Sequence, residues 1–190
     1  YSLLGDYLNA LKHLRRAEFL DPENREVKLL VAKNRIWKGD VAEGLKAYRS
    51  LLLLEPRRLD LWLEAGKVAA WVGRYEESVS FYKNGLEQFP EDLALLVNLG
   101  LTYSWSAQRE EAERVFKQAA EKAQADLGQL LELADVYYVN GYTPQAVQLL
   151  ESGLKRYPDR LAPYLALERI YAAEGQSAKA EEVRRLIETT

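Results

Sequence analysis

The 190-residue sequence contains no cysteine, no methionine and a single histidine, His13. Without cysteine there can be no disulfide, no thiolate nucleophile and no sulfur-ligated metal. One histidine also excludes the usual His-rich metal clusters, so no metal and no cofactor are expected. Charge of one sign is scarce as well: the net charge is −3 and the pI is near 5.4. A chain that grips nucleic-acid backbones normally carries a clear positive excess, so no nucleic-acid partner is expected. Long apolar runs are missing. Leu51–Leu54 is only four residues long, against the roughly 20 that a membrane span needs. No signal peptide is visible, but the chain opens on Tyr1 and reads as a piece of a longer protein continuing on both sides, its open ends expected to associate. What is present suits a folded domain: 48% of the residues are hydrophobic and 29% charged, too much apolar material for disorder.

The apolar residues are arranged with a period of 34. Pro22, Pro56, Pro90 and Pro158 fall on one grid of that spacing, with Gln124 at the vacant node. Gly5, Gly39, Gly73, Gly141 and Gly175 fall on a second, with Ala107 as the exception. Ala10, Gly44, Ser78, Ala112, Ala146 and Ala180 fall on a third, small at every node. Such agreement at a single phase marks a repeat protein.

Gly5-Asp6-Tyr7, Ala10, Ala17 and Asp21-Pro22 match half of a known repeat motif. Trp62, Gly66, Gly73, Tyr75 and Pro90 match a nearly complete unit, as do Leu99-Gly100, Tyr103, Ala112, Phe116 and Ala119. On these residues the whole chain resembles a tetratricopeptide repeat (TPR) array. In that phase residues 1–24 are a partial repeat, 25–58, 59–92, 93–126 and 127–160 are full repeats, and 161–190 are a truncated last one. The resemblance implies an all-α solenoid of about five to six helical hairpins, wound as a right-handed superhelix with the first helix of each hairpin lining its concave surface.

The residues themselves explain why each unit should fold as a hairpin of two amphipathic helices, A and B. In the third unit Trp62, Ala65, Gly66 and Ala69 form the apolar stripe of helix A, and Ser78, Tyr82 and Gly85 the facing stripe of helix B. Small residues permit close approach, and the large rings fill the space between the helices. Gly73 allows the turn after helix A, and the proline ends helix B by excluding its predecessor from helical geometry. Thr143-Pro144 reads as an N-cap followed by proline at the first helical position. No hairpin can bury its apolar face alone, so stability is shared with neighbouring repeats.

No catalytic constellation is present, and the chain is not expected to be an enzyme. His13 lies on a B helix with no nucleophile placed beside it, and neither GxxxxGK[ST] nor GxGxxG occurs. The pairs Glu76-Glu77, Glu110-Glu111 and Glu181-Glu182 are expected at the starts of B helices, where negative charge complements the helix dipole.

Trp37, Trp71 and Trp105 are the informative residues, each separated from the next by one repeat. At about 100° per residue, Trp71 points away from the buried stripe of its helix, towards the concave side, as do its equivalents. They either seal the inner layer between A helices, beside the apolar row Leu29, Leu63, Val97, Leu131 and Leu165, or form an exposed stacking surface for a ligand. Lys33, Lys67 and Asn98 add polar groups to the expected groove, and Tyr138 and Tyr142 extend its aromatic character.

The carboxylate clamp of chaperone-binding TPR proteins can be tested directly. The clamp positions read Leu29, Lys33, Glu64, Ala94 and Asn98, or one repeat later Leu63, Lys67, Asn98, Gly128 and Glu132; neither set matches the clamp. Ala70-Trp71-Val72-Gly73-Arg74-Tyr75 and Ser104-Trp105-Ser106 are instead similar to turns of periplasmic TPR domains in bacterial exopolysaccharide synthesis and export. The expected function is a scaffold binding a protein partner through its groove, in a compartment the sequence does not fix. The alternative is a periplasmic module contacting a polysaccharide or docking its modifying enzymes.

Overall fold

The computed structural model describes residues 2–189; Tyr1, and the side chains of the motif residues Tyr7 and Ala10, lie outside the described residues. All regular structure described is helical: α1 (Ser2–Leu20), α2 (Arg25–Lys38), α3 (Val41–Leu54), α4 (Leu59–Trp71), α5 (Tyr75–Gln88), α6 (Leu93–Trp105), α7 (Arg109–Ala123), α8 (Leu127–Val139), α9 (Thr143–Arg156), α10 (Leu161–Ala173) and α11 (Ser177–Thr189). The chain divides after Ala112, within α7, into two compact units.

In the first unit α2 packs on α3 and α4 on α5 as hairpins, α1 lies against α2, and α6 stacks on α5 and α4. In the second, α8–α9 and α10–α11 form hairpins, with α10 against both α9 and α8.

The same turn closes each hairpin. Gly39, Gly73, Gly141 and Gly175 have φ between 71° and 98°, the left-handed region that glycine enters without steric cost. The next residue donates its N–H to a carbonyl five residues back: Asp40 to Arg35, Arg74 to Ala69, Tyr142 to Tyr137 and Gln176 to Tyr171, all at 2.8 Å. This double-bonded helix ending satisfies carbonyls that would otherwise be orphaned. Ala107 keeps the same turn, with φ 60° and Gln108 bonded to Tyr103 at 2.8 Å.

At the other end of the hairpin the prolines act as expected. Glu55, Phe89 and Tyr157, each just before a proline, leave helical geometry at φ −133°, −133° and −128°. The next A helix then begins, in three cases on a side-chain cap: Asn24 accepts from the Val27 N–H, Asp92 from Leu95 and Asp126 from Gln129.

Close approach explains the small residues. Gly44, Ser78, Ala112, Ala146 and Ala180 are all buried. A Cβ added to Gly66 would lie 2.3 Å from the Tyr82 ring, so that ring occupies the space a side chain would need. A buried bridge between Ser78 Oγ and Thr102 Oγ1, 3.1 Å, joins α5 to α6 in the first unit. In the second, Tyr137 Oη donates to the Phe116 carbonyl at 2.6 Å and ties α8 to α7.

Three local expectations are corrected. Gly5 does not make a turn, because α1 runs through it from Ser2 to Leu20. The hydrogen-bonded ladder continues through it, adding a bond per residue. Tyr142, not Thr143, caps α9, with no side-chain hydrogen bond to the helix start, and Pro144 follows in the first turn, where its missing N–H is harmless. Glu181-Glu182 lies beyond the first turn of α11, three residues later in phase than Glu76-Glu77 and Glu110-Glu111, which do open α5 and α7.

Candidate functional site

Four tryptophans occupy two phases of the repeat and have opposite fates. Trp62 sits on the buried stripe of α4, is only 8% exposed, and donates its indole N–H to the Pro56 carbonyl at 2.8 Å. Trp37, Trp71 and Trp105 close the last turns of α2, α4 and α6, and are 71%, 79% and 50% exposed. All three belong to the first unit. The apolar row beside them is covered where they are not: Leu29 is buried, Leu63 and Val97 half-buried. The inner layer between A helices is therefore sealed by that row, and the indoles lie outside it.

The polar groups around them are partly committed. Lys33 Nζ is 3.0 Å from the Glu64 carboxylate, an ion pair between α2 and α4. Asn98 spends an amide N–H on the Ala94 carbonyl of its own helix, at 2.7 Å. Lys67 is exposed one repeat after Lys33. Burial pushes the Tyr48 phenol of α3 up, and the nearby Glu64 carboxylate adds to that; the hydroxyl lies near that carboxylate without meeting hydrogen-bond geometry. Arg58, between α3 and α4, holds the Asp60 carboxyl below the usual carboxylate range through two hydrogen bonds of 2.9 and 2.8 Å.

A cleft of about 440 Å³ adjoins the turns that follow Trp71 and Trp105, with Arg74, Tyr75, Glu77, Ser106 and Gln108 among its walls. Arg74 is paired with Glu77 there.

The two tyrosines lie in the second unit and are placed differently. Tyr142 has its ring 4.8 Å from Phe116 and 6.3 Å from Tyr137, so it fills space among α7, α8 and the turn into α9. Tyr138 is half-buried on α8. Here the exposed position equivalent to Trp71 is held by Val139, 81% exposed. Asp135 of α8 pairs with Arg169 of α10, linking successive A helices as Lys33 and Glu64 do in the first unit. Sequence reasoning did not find these ion pairs. The signal was present as opposite charges one repeat apart or nearly so.

Residues 69–134 match the tetratricopeptide repeat family. The fold is that of tetratricopeptide repeat proteins. Solved structures agree at the level of fold. A TPR protein from Parabacteroides merdae is 20% identical, over the whole of this chain and 75% of its own, with a TM-score of 0.58. PilF of Pseudomonas aeruginosa is 19% identical over 96% of this chain and 83% of its own, TM-score 0.56. MamA of Desulfovibrio magneticus RS-1 is 15% identical over 82% and 88%, TM-score 0.56. No curated protein sequence matches the chain.

Within each hairpin, then, the buried positions recur from repeat to repeat, and the three exposed indoles stand outside them. An indole buries a large apolar area when a partner covers it, and it stacks on rings and cations.

Proposed function

We propose that this TPR array is a non-enzymatic scaffold that binds a protein partner through the face carrying Trp37, Trp71 and Trp105. The observation that carries the reading is their exposure, at 50–79%, at one phase of three successive repeats whose cores are otherwise closed. Large aromatic side chains concentrate binding energy when a partner desolvates them. Lys67 and the open faces of the Lys33–Glu64 pair and Asn98 supply polar contacts beside them. Tyr138, half-buried in the second unit, is a lesser candidate, and Tyr142 serves packing.

An exported polysaccharide is the second reading. Indole faces spaced one repeat apart suit successive sugar rings, and the adjoining cleft offers the carboxylates, amide and guanidinium that bind hydroxyls.

The test is a Trp37→Ala, Trp71→Ala, Trp105→Ala variant beside the parent. Truncating a buried tryptophan costs about 3–5 kcal/mol, so three buried rings would collapse the fold. For exposed rings the melting temperature is expected to stay within a few degrees of the parent. Capture of partner protein, or retention on an immobilised acidic polysaccharide, is expected to disappear. A collapsed melt, or unchanged capture of both ligand classes, overturns the proposal; which capture is lost decides between the two readings.

A further inference from the structure

A second exposed surface lies on the B helices of the first unit, at a different phase from the tryptophans. Phe19 and Leu20 end α1, and Leu53 and Leu54 end α3; their exposures are 84%, 72%, 84% and 52%. The two pairs are one repeat apart. Leu53 and Leu54 sit between α2 and α4, so their repeat has neighbours on both sides and their exposure is not that of an open end. The later repeats provide an internal control: the same positions are Glu87-Gln88, Glu121-Lys122 and Lys155-Arg156. Nothing in the TPR fold requires apolar residues there.

Each apolar tip continues a basic stripe. On α1, Lys12, Arg15, Arg16 and Phe19 follow helical spacing, and on α3 Lys46, Arg49, Ser50 and Leu53 repeat it at the same phase. All eight side chains are exposed. Arg49 also pairs with Glu77 at 2.8 Å and lies over the Phe81 ring. Of the acids nearby, Glu43 is paired with Arg35 at 3.7 Å and Glu55 with Arg25 at 3.0 Å, while Glu18 lies half-buried in the cleft that Lys46 and Ser50 also line. Charge is segregated along the chain to match. Residues 1–58 hold twelve Lys and Arg against eight Asp and Glu, a net +4, whereas the remaining residues hold fourteen against twenty-one, a net −7.

We propose that the outer faces of α1 and α3 dock on an anionic lipid surface. Two features favour a bilayer over a protein. The apolar side chains are projecting tips, which a soft interface accepts without a matching pocket. The stripe also recurs on two helices, with Ser50 in place of Arg16, which a uniform anionic surface meets twice, whereas a protein would have to supply a similar complementary site in duplicate. Cations beside apolar and aromatic tips are the chemistry of interfacial attachment. No described helix is long and apolar enough to cross a membrane, so the attachment is peripheral.

The experiment is flotation of the full chain with vesicles of phosphatidylcholine alone and of phosphatidylcholine with phosphatidylglycerol, at about 0.1 M and 0.5 M salt. Binding is expected to the anionic vesicles and to weaken at high salt as the charges are screened. A Phe19→Ser, Leu53→Ser variant and a Lys12→Ser, Lys46→Ser variant, each checked for an unchanged melt, should lose about tenfold or more of that binding, since each cation near such a surface contributes about fivefold. The triple tryptophan variant should bind vesicles as the parent does, which separates this surface from the indole face. No binding to anionic vesicles, or equal binding by the Phe19→Ser, Leu53→Ser variant, overturns the proposal. So does a monomer–dimer equilibrium abolished by that variant, which would assign the surface to a second copy of the chain.

Discussion

At residue 107 an alanine does what glycine does in four other turns. Its φ of 60° and the 2.8 Å bond from Gln108 to Tyr103 keep the helix ending intact, but a Cβ in the left-handed region costs about 1–2 kcal/mol. Ala107→Gly is therefore expected to stabilise the protein by about 1 kcal/mol, even though it loosens the unfolded chain. Thermal or urea unfolding checks this, and an unchanged midpoint would mean that the turn relaxes around alanine. The gap in the glycine grid was visible in the sequence; its meaning was not. A missing glycine can signal either a lost turn or a retained and strained one, and only the backbone angle distinguishes them.

Between helices, hydrogen bonds from buried phenols have unequal value. Tyr137 on α8 donates to the Phe116 carbonyl on α7, while Tyr48 on α3 is buried with a hydroxyl that makes no such bond. Removing the first hydroxyl as Tyr137→Phe is expected to cost about 1 kcal/mol, the net worth of a typical internal hydrogen bond. Tyr48→Phe, which relieves a buried polar group of its desolvation, should leave stability unchanged or raise it. Paired urea titrations give both values, and equal losses would contradict the difference in bonding.

Helix pairing was legible from the 34-residue grids because backbone geometry enforces it. Small residues, turn glycines and prolines each perform one local act at a fixed phase. The A-helix caps Asn24, Asp92 and Asp126 were legible in principle, being acceptors three residues before the N–H they meet. That the Trp71 ring leaves the buried stripe followed from helical rotation alone. Its exposure did not, because that depends on whether the neighbouring row of Leu29, Leu63 and Val97 is wide enough to close the layer without it. Tyr142 was misleading for a similar reason. Its aromatic character is visible in sequence, but its seat against Phe116 depends on the turn that precedes α9.

For the molecule as a whole, the buried phenols set an alkaline boundary. Burial raises the pKa of Tyr48, Tyr82 and Tyr137 well above the ordinary phenol value, whereas in the unfolded chain they ionise near pH 10. Below that pH both states hold the proton and the contribution to stability is fully present. Above it the unfolded state loses protons that the folded state retains, so stability falls, by up to about 1.4 kcal/mol per pH unit for each phenol. The melting temperature followed by far-UV circular dichroism should be nearly flat from about pH 7 to 9 and drop steeply beyond about pH 10. A flat profile through pH 11 would show that the phenols titrate alike in both states.

The contrast between Trp62 and the other three indoles also decides what light the protein emits. One chromophore is enclosed and three are solvated before any unfolding begins, so the native emission spectrum should already be red-shifted and readily quenched by iodide. Denaturation can move the signal of Trp62 alone to any great extent, which makes intrinsic fluorescence a poor thermometer for this fold. For the same reason it is a sensitive reporter of occupancy, because a ligand covering the outer indoles would shield most of the emitters at once.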